Sequence, residues 1–332
     1  MNYGLRPAKA VERKMFCELI QELSIFRNIK EYRYIGLGST YFTDFSLIHK
    51  MLGIHKMISI EKDEENKNRF IFNKPYSCIE MKFSSTNEVL PTLDWNDPSI
   101  VWLDYDQSLD LNILKDIETC TANLKETSLL LMTVRAQHFQ PQNKPDSNDE
   151  LWKMRLDDLE SKIGSERVPA GVTGEHLNLK KTAGVFREVI TNEINKVLRD
   201  INGTNKSDSP DYLHYKQLVN ITYQDGVKML TLGGLIYSTK DVAQYTKSKI
   251  ESLDFVRLSK EALEIKTPNL TFRELHILDS VLPNGIDLKT GHVINTSGTD
   301  GEKNLSSIIP ISDIKKYAKI YRYFPTFAES NL

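Results

Sequence analysis

The sequence predicts an α/β protein: a doubly wound, mostly parallel sheet with a terminal antiparallel hairpin, plus a smaller, mainly helical C-terminal region. Three observations carry that expectation. Short apolar runs alternate with amphipathic stretches over residues 32–134, the pattern of parallel strands joined by right-handed helical crossovers. The first apolar run breaks at Gly36-Leu37-Gly38 within "YIGLGSTYF", residues 34–42. Two further runs, 217–223 and 227–232, flank Gln224-Asp225-Gly226, and an Asp-Gly turn between strand-like segments marks a hairpin.

Each element follows in order. Val11, Met15, Leu19, Ile20 and Leu23 recur at helical spacing, so an amphipathic helix opens the chain over 8–23. A strand at 32–35 leads through the glycine turn into a helix at 43–52, which Gly53 stops. Strands are expected at 57–61, 78–83 and 99–105, with helices at 64–72 and 111–124. The run at 128–134 contains four successive large apolar residues, Leu129 to Met132, as in a strand buried on both faces. Helices at 148–163 and 182–201 then precede a polar connection at 202–211 and the hairpin. Beyond residue 243 the pattern turns mainly helical. Thr271 and Glu274 can form a capping box for a helix that runs to Leu282 and ends at Pro283-Asn284-Gly285, and Ser312 can cap a last helix through Tyr323.

A chain of 332 residues accommodates one enzyme-sized α/β domain and a smaller appended one. With a formal net charge of -2 and pI near 6.4, nothing global draws it to nucleic acid or to an anionic membrane. The three cysteines, Cys17, Cys78 and Cys120, are far apart and lack metal-ligand spacing. That argues against a disulfide framework or a zinc site and for a reducing compartment. The N-terminus has no apolar core of signal length, and no run reaches spanning length. A soluble, unprocessed, cytoplasmic protein is expected.

Gly36 and Gly38 allow close backbone approach and positive φ, while the helix that follows presents unpaired N–H groups. Glu61, ending the next strand, borders the same crevice and can accept hydrogen bonds from ribose hydroxyls. Taken alone, two glycines mean only a tight βα turn with a solvated Glu61. A nicotinamide dinucleotide is disfavoured because Tyr41 stands where the third glycine of that fingerprint belongs. No GxxxxGK[ST] occurs, which excludes a P-loop.

The order of five parallel strands, a glycine-containing first turn, an acidic end to the second strand and a closing hairpin resembles the class I S-adenosylmethionine-dependent methyltransferases over residues 32–232. The resemblance implies a Rossmann-like methyltransferase domain at 31–240, preceded by an N-terminal helical segment at 1–30 and followed by a mainly helical appendage at 241–332. It implies S-adenosylmethionine as cofactor. Gly36, Gly38 and Ser39 would hold its methionine part, Glu61 its ribose, and Ser84 or Ser85 its adenine; Asp104 and Asp106 of "VWLDYDQS" would face the methyl group. Thr40 replaces the third glycine of the family's GxGxG, a departure that bears on the loop's shape.

For methylation of oxygen, a carboxylate or imidazole removes the hydroxyl proton as the oxygen attacks. Asp104, Asp106 and His138 of "RAQHFQP" are the candidates; otherwise Asp106 caps a helix beginning near residue 109 and His138 is a loop residue. Asp104 and Asp106 have no accompanying Mg²⁺ ligand set, and the transfer needs mainly alignment, so no metal is expected. The chain lacks Asn-Pro-Pro-Tyr and Asp-Pro-Pro-Tyr, which weakens the case for an exocyclic nitrogen acceptor. Tyr105 is a candidate to stack on a planar acceptor. The expected activity is methyl transfer to an oxygen acceptor of unknown identity. RNA or DNA methylation is one alternative, and a non-catalytic cofactor sensor or interaction subunit is another. For nucleic acid, Arg6 and Lys9, with Lys315, Lys316 and Lys319 among Tyr317, Tyr321 and Tyr323, would supply phosphate contacts and stacking. The commoner explanation is a helix with aromatics inward and lysines in water.

Overall fold

A computed structural model of the protein describes residues 6–137, 139–141, 145–294 and 304–325. Among them, eight strands form one sheet: β1 (Arg33–Leu37), β2 (Lys56–Glu61), β3 (Ile79–Phe83), β4 (Ser99–Ser108), β5 (Ser128–Arg135), β6 (Leu213–Asp225), β7 (Val227–Ser238) and β8 (Leu263–Ile265). Their order is β3-β2-β1-β4-β5-β7-β6-β8. The first five are parallel, and β7 runs antiparallel to both β5 and β6. This is the expected doubly wound sheet with its terminal hairpin.

The two central strands explain why the sheet is covered on both sides. The first five residues of β4 and seven successive residues of β5 are buried, and such continuous apolar strands need helices on each face. On one face Ile35, Val101, Leu103, Leu130 and Met132 share a core with Ile113 and Ile117 of α5 (Leu111–Asn123) and Val189 and Ile190 of α7 (Thr182–Asn202). On the other face Trp102 meets Phe16 of α1 (Pro7–Glu22) edge-on at 4.8 Å, and Tyr34 meets Phe45 of α2 (Thr43–Leu52) at 5.0 Å.

The chain divides into two compact units, Phe16–Glu264 and Met1–Met15 with Ile265–Leu332. The second has its own small core, which includes Leu278 of α9 (Phe272–Val281) and Ile314 and Tyr317 of α10 (Ile311–Ile320). The Thr271–Glu274 capping box forms as the sequence predicts. Ser312 is not a cap: α10 starts at Ile311 with Pro310 at its N-cap, because the fixed φ of proline already suits a helix entrance. Likewise Asp110, not Asp106, caps α5, accepting the Ile113 N–H at 2.9 Å.

Elsewhere β4 continues to Ser108, pairing with Arg135 beyond an irregularity after Asp104. The four-residue helix α4 (Thr86–Val89) and the edge strand β8 have no counterpart in the sequence pattern. Among the described residues, no helix is long and apolar enough to cross a membrane.

Candidate active site

Strand register assembles a row of residues along the carboxyl edge of the parallel strands. Glu61 of β2 pairs with Phe83 of β3, and Asp104 of β4 pairs with Thr133 of β5. Gly36 of β1 pairs with both Ser59 and Trp102, so two residues further on Gly38 falls between Glu61 and Asp104. Neighbouring strands lie about 4.8 Å apart and side chains alternate between faces. Glu61 and Asp104 therefore flank Gly38 on the face that also carries Ser59 and Trp102.

The glycine turn is built for close approach. The Gly38 N–H donates to the Ile60 carbonyl at 2.6 Å. A Cβ on Gly38 would stand 3.0 Å from Glu61 Cβ and 3.1 Å from both Glu61 Oε2 and Ser59 Oγ. Positive φ, which the sequence led one to expect at these glycines, occurs instead at Phe42 (φ 45°), the N-cap of α2. Phe42 is buried and packs on Phe45 with ring centres 5.9 Å apart, while Tyr41 turns outward. The two aromatics thus separate, and no third glycine is needed.

Glu61 is half-buried and its Oε1 accepts the Asp63 N–H at 3.0 Å. Burial raises its carboxyl above the ordinary value, against the pull of that N–H. Ser59 Oγ is buried without a hydrogen-bond partner among the described residues, an uncommon state that a polar ligand would relieve. The space that a Gly38 Cβ would fill, bordered by a carboxylate oxygen and an unmatched hydroxyl, suits a hydroxyl-bearing ligand such as a nucleoside. Gly38→Ala is accordingly expected to keep the fold, read by circular dichroism, and to weaken S-adenosylmethionine binding by roughly tenfold, about 1.4 kcal/mol, read by calorimetry.

The remaining expected residues are distributed unevenly. Ser84 and Ser85 follow β3 on the same edge, and both hydroxyls bond to Glu88, whose carboxyl they hold below its usual range. Asp104 is half-buried and Asp106 exposed. Tyr105 belongs to the opposite face. It is buried in the core, and its hydroxyl donates to Asp116 at 2.6 Å, where Thr86 and Asn87 also converge. Burial and the Asp116 charge raise the Tyr105 phenol. The structure therefore does not bring Tyr105 to the row of carboxylates, and its ring is packed rather than presented to an acceptor. His138 lies outside the described residues.

Beside the β4–β5 edge is a small cavity whose lining includes Ser108, Gln137, Phe139, Lys162 and Phe186. Arg155 of α6 (Asn148–Ile163) also borders it, and its Nε is buried without a hydrogen-bond partner among the described residues. Neither Ser59 nor Arg155 was a sequence candidate. Ser59 was legible, since it precedes Glu61 by two on a strand and so shares its face; Arg155 belongs to no motif.

The basic residues proposed for nucleic acid are largely engaged. Lys9 is 2% exposed and ion-paired to Glu12 at 2.8 Å. Lys316 pairs with Asp313 at 2.8 Å, and Tyr317 and Tyr323 are buried. Lys315 and Lys319 are exposed, so α10 turns Tyr317 inward and these two lysines to water.

Solved structures with remote similarity include a probable spermidine synthase from Corynebacterium glutamicum ATCC 13032, at 13% identity and TM-score 0.32, covering 37% of this chain and 49% of that one. An O-methyltransferase family protein from Burkholderia thailandensis matches at 12% identity and TM-score 0.33, over 68% of this chain and 56% of that one. Trm1 from Pyrococcus horikoshii, solved with S-adenosyl-L-methionine, matches at 10% identity and TM-score 0.41, over 71% and 57%. The chain thus spans 49%, 56% and 57% of the lengths of these proteins. No curated protein matches it. The family model described as "Putative O-methyltransferase" matches residues 1–332, the whole of this chain, and the protein belongs to that family.

Proposed function

We propose that the protein transfers a methyl group from S-adenosylmethionine to an oxygen atom of its acceptor, at the carboxyl edge of β1, β2 and β4. The observation that supports this most is the row Glu61–Gly38–Asp104, two carboxylates on either side of a tight glycine turn. When bound, the cofactor supplies an electrophilic methyl group on sulfonium sulfur. Gly36, Gly38 and Ser39 hold its methionine part, Glu61 accepts hydrogen bonds from its ribose, and Ser84 or Ser85 meets its adenine. Asp104, with Asp106 beyond it, faces the acceptor. The Asp104 carboxylate would take the proton that the acceptor hydroxyl gives up. Residues 31–240 form the catalytic body in this reading, residues 1–30 an N-terminal helical segment and residues 241–332 a mainly helical appendage. Three free thiols, at Cys17, Cys78 and Cys120, support a cytoplasmic setting.

Calorimetric titration with S-adenosylmethionine, S-adenosylhomocysteine and NADH tests the cofactor site. The wild type should bind the first two and not the third. Glu61→Ala should weaken both by roughly 10- to 100-fold, the worth of a hydrogen bond to a charged group. Because burial raises the Glu61 carboxyl, acidification should protonate it sooner than an ordinary glutamate, so affinity falls as pH drops through that raised value. Glu61→Gln should flatten this pH dependence. Equal affinity in Glu61→Ala and wild type would remove Glu61 from the cofactor site, and cofactor binding without turnover on any acceptor would favour a sensor.

RNA or DNA as acceptor is the second reading, supported by exposed Lys315 and Lys319. It requires salt-dependent binding that weakens when those two lysines are neutralised.

A further inference from the structure

Three ligand-type side chains, distant in sequence, meet at the opposite edge of the sheet. His49 lies in the last turn of α2, His55 in the connection to β2, and Cys78 immediately before β3. One ligand atom from each lies within 4.8 Å of the others. Cys78 Sγ is 3.7 Å from His49 Nδ1. In a tetrahedral zinc site, with Zn–S near 2.3 Å and Zn–N near 2.1 Å, sulfur and nitrogen sit about 3.6 Å apart. The Cys78–His49 pair is close to that separation, and His55 is near enough to close on it.

We propose that His49, His55 and Cys78 form a binding site for Zn²⁺, with a water or an external ligand in the fourth position. Two imidazoles and a thiolate are a donor set that this ion accepts, and as a closed-shell ion it tolerates the small closure required. The His49 ring is held by Tyr76, with ring centres 4.4 Å apart, and His49 Nδ1 is 2.9 Å from the Ile54 carbonyl. Coordination through Nδ1 exchanges that hydrogen bond for a metal bond, and the Cys78 thiol proton is released to solvent. His55 is exposed and Cys78 half-buried, which gives the ion a path in.

The site is separate from the cofactor row. It lies at the start of β2, whereas Glu61 ends that strand, five residues on at about 3.3 Å each. An ion there would tie the end of α2 to the segments that lead into β2 and β3. Local spacing conceals such a site, because positions 49, 55 and 78 converge only when two crossover units have folded.

Metal-free protein titrated with Co²⁺, a spectroscopic stand-in for Zn²⁺, should take up one equivalent and develop thiolate-to-cobalt charge-transfer absorption that Zn²⁺ displaces. Cys78→Ser should abolish that absorption. His55→Ala, at an exposed position, should keep the absorption and lower Zn²⁺ affinity by roughly tenfold or more. No stoichiometric uptake by folded wild type, the same spectrum in Cys78→Ser, or wild-type Zn²⁺ affinity in His55→Ala would each overturn the assignment and leave the cluster a packing feature.

Discussion

Asp104→Asn is expected to lower turnover by roughly 10²- to 10⁴-fold, the usual contribution of a general base, while S-adenosylmethionine affinity stays within a few-fold. Asparagine preserves the shape of the side chain and an acceptor oxygen, and removes only the capacity to take a proton. Asp104 pairs with Thr133 on β5 and follows by two residues Trp102, the partner of Gly36 on β1, which sets its carboxylate at the edge proposed for the acceptor. Asp106→Asn is the comparison: it lies two residues on, on the exposed end of β4, and should cost less. Full turnover in Asp104→Asn would sink the base assignment and leave alignment alone to account for the rate.

The parallel sheet was legible because its strands are short apolar runs between amphipathic stretches, and because a buried strand such as Leu129 to Met132 admits few other readings. The row of candidate residues was legible for a related reason: Glu61 ends β2, Gly38 follows the last residue of β1, and Asp104 stands where the buried run of β4 gives way to polar residues, so neighbouring parallel strands bring them to one edge. What the sequence concealed depends on partners brought in from elsewhere. Tyr105 reads as a surface aromatic until Asp116, Thr86 and Asn87 claim its hydroxyl. Lys9 reads as a solvated base, yet it is buried against Glu12 one helical turn away. The positive φ expected of a glycine fell to Phe42, whose ring burial offsets the strain.

The other hidden feature is the length of the hairpin, and it sets the second large effect. Gly233-Gly234 interrupts the apolar pattern, so the strand reads as ending at Leu232; β7 instead continues to Ser238. The glycines are required there because β7 is an interior strand between β5 and β6, opposite a register shift between Gln217 and Val219. A Cβ on Gly233 would lie 2.1 Å from the Leu130 carbonyl oxygen, and one on Gly234 would lie 2.0 Å from that of Lys216. Both obstacles are backbone atoms, and no rotamer change relieves them. Gly234→Ala is therefore expected to cost about 3 kcal/mol or more, the upper end of overpacking penalties, and to lower the melting temperature by roughly 6–12 °C. The same substitution at Gly184, in α7 with nothing within 4 Å of the added carbon, should raise stability by about 0.5–1 kcal/mol. Opposite signs for one chemical change would tie the loss to strand spacing. Equal melting temperatures for Gly234→Ala and wild type would mean that β5, β6 and β7 can spread to admit a methyl group, and that Gly-Gly is not what sets the close approach of these strands.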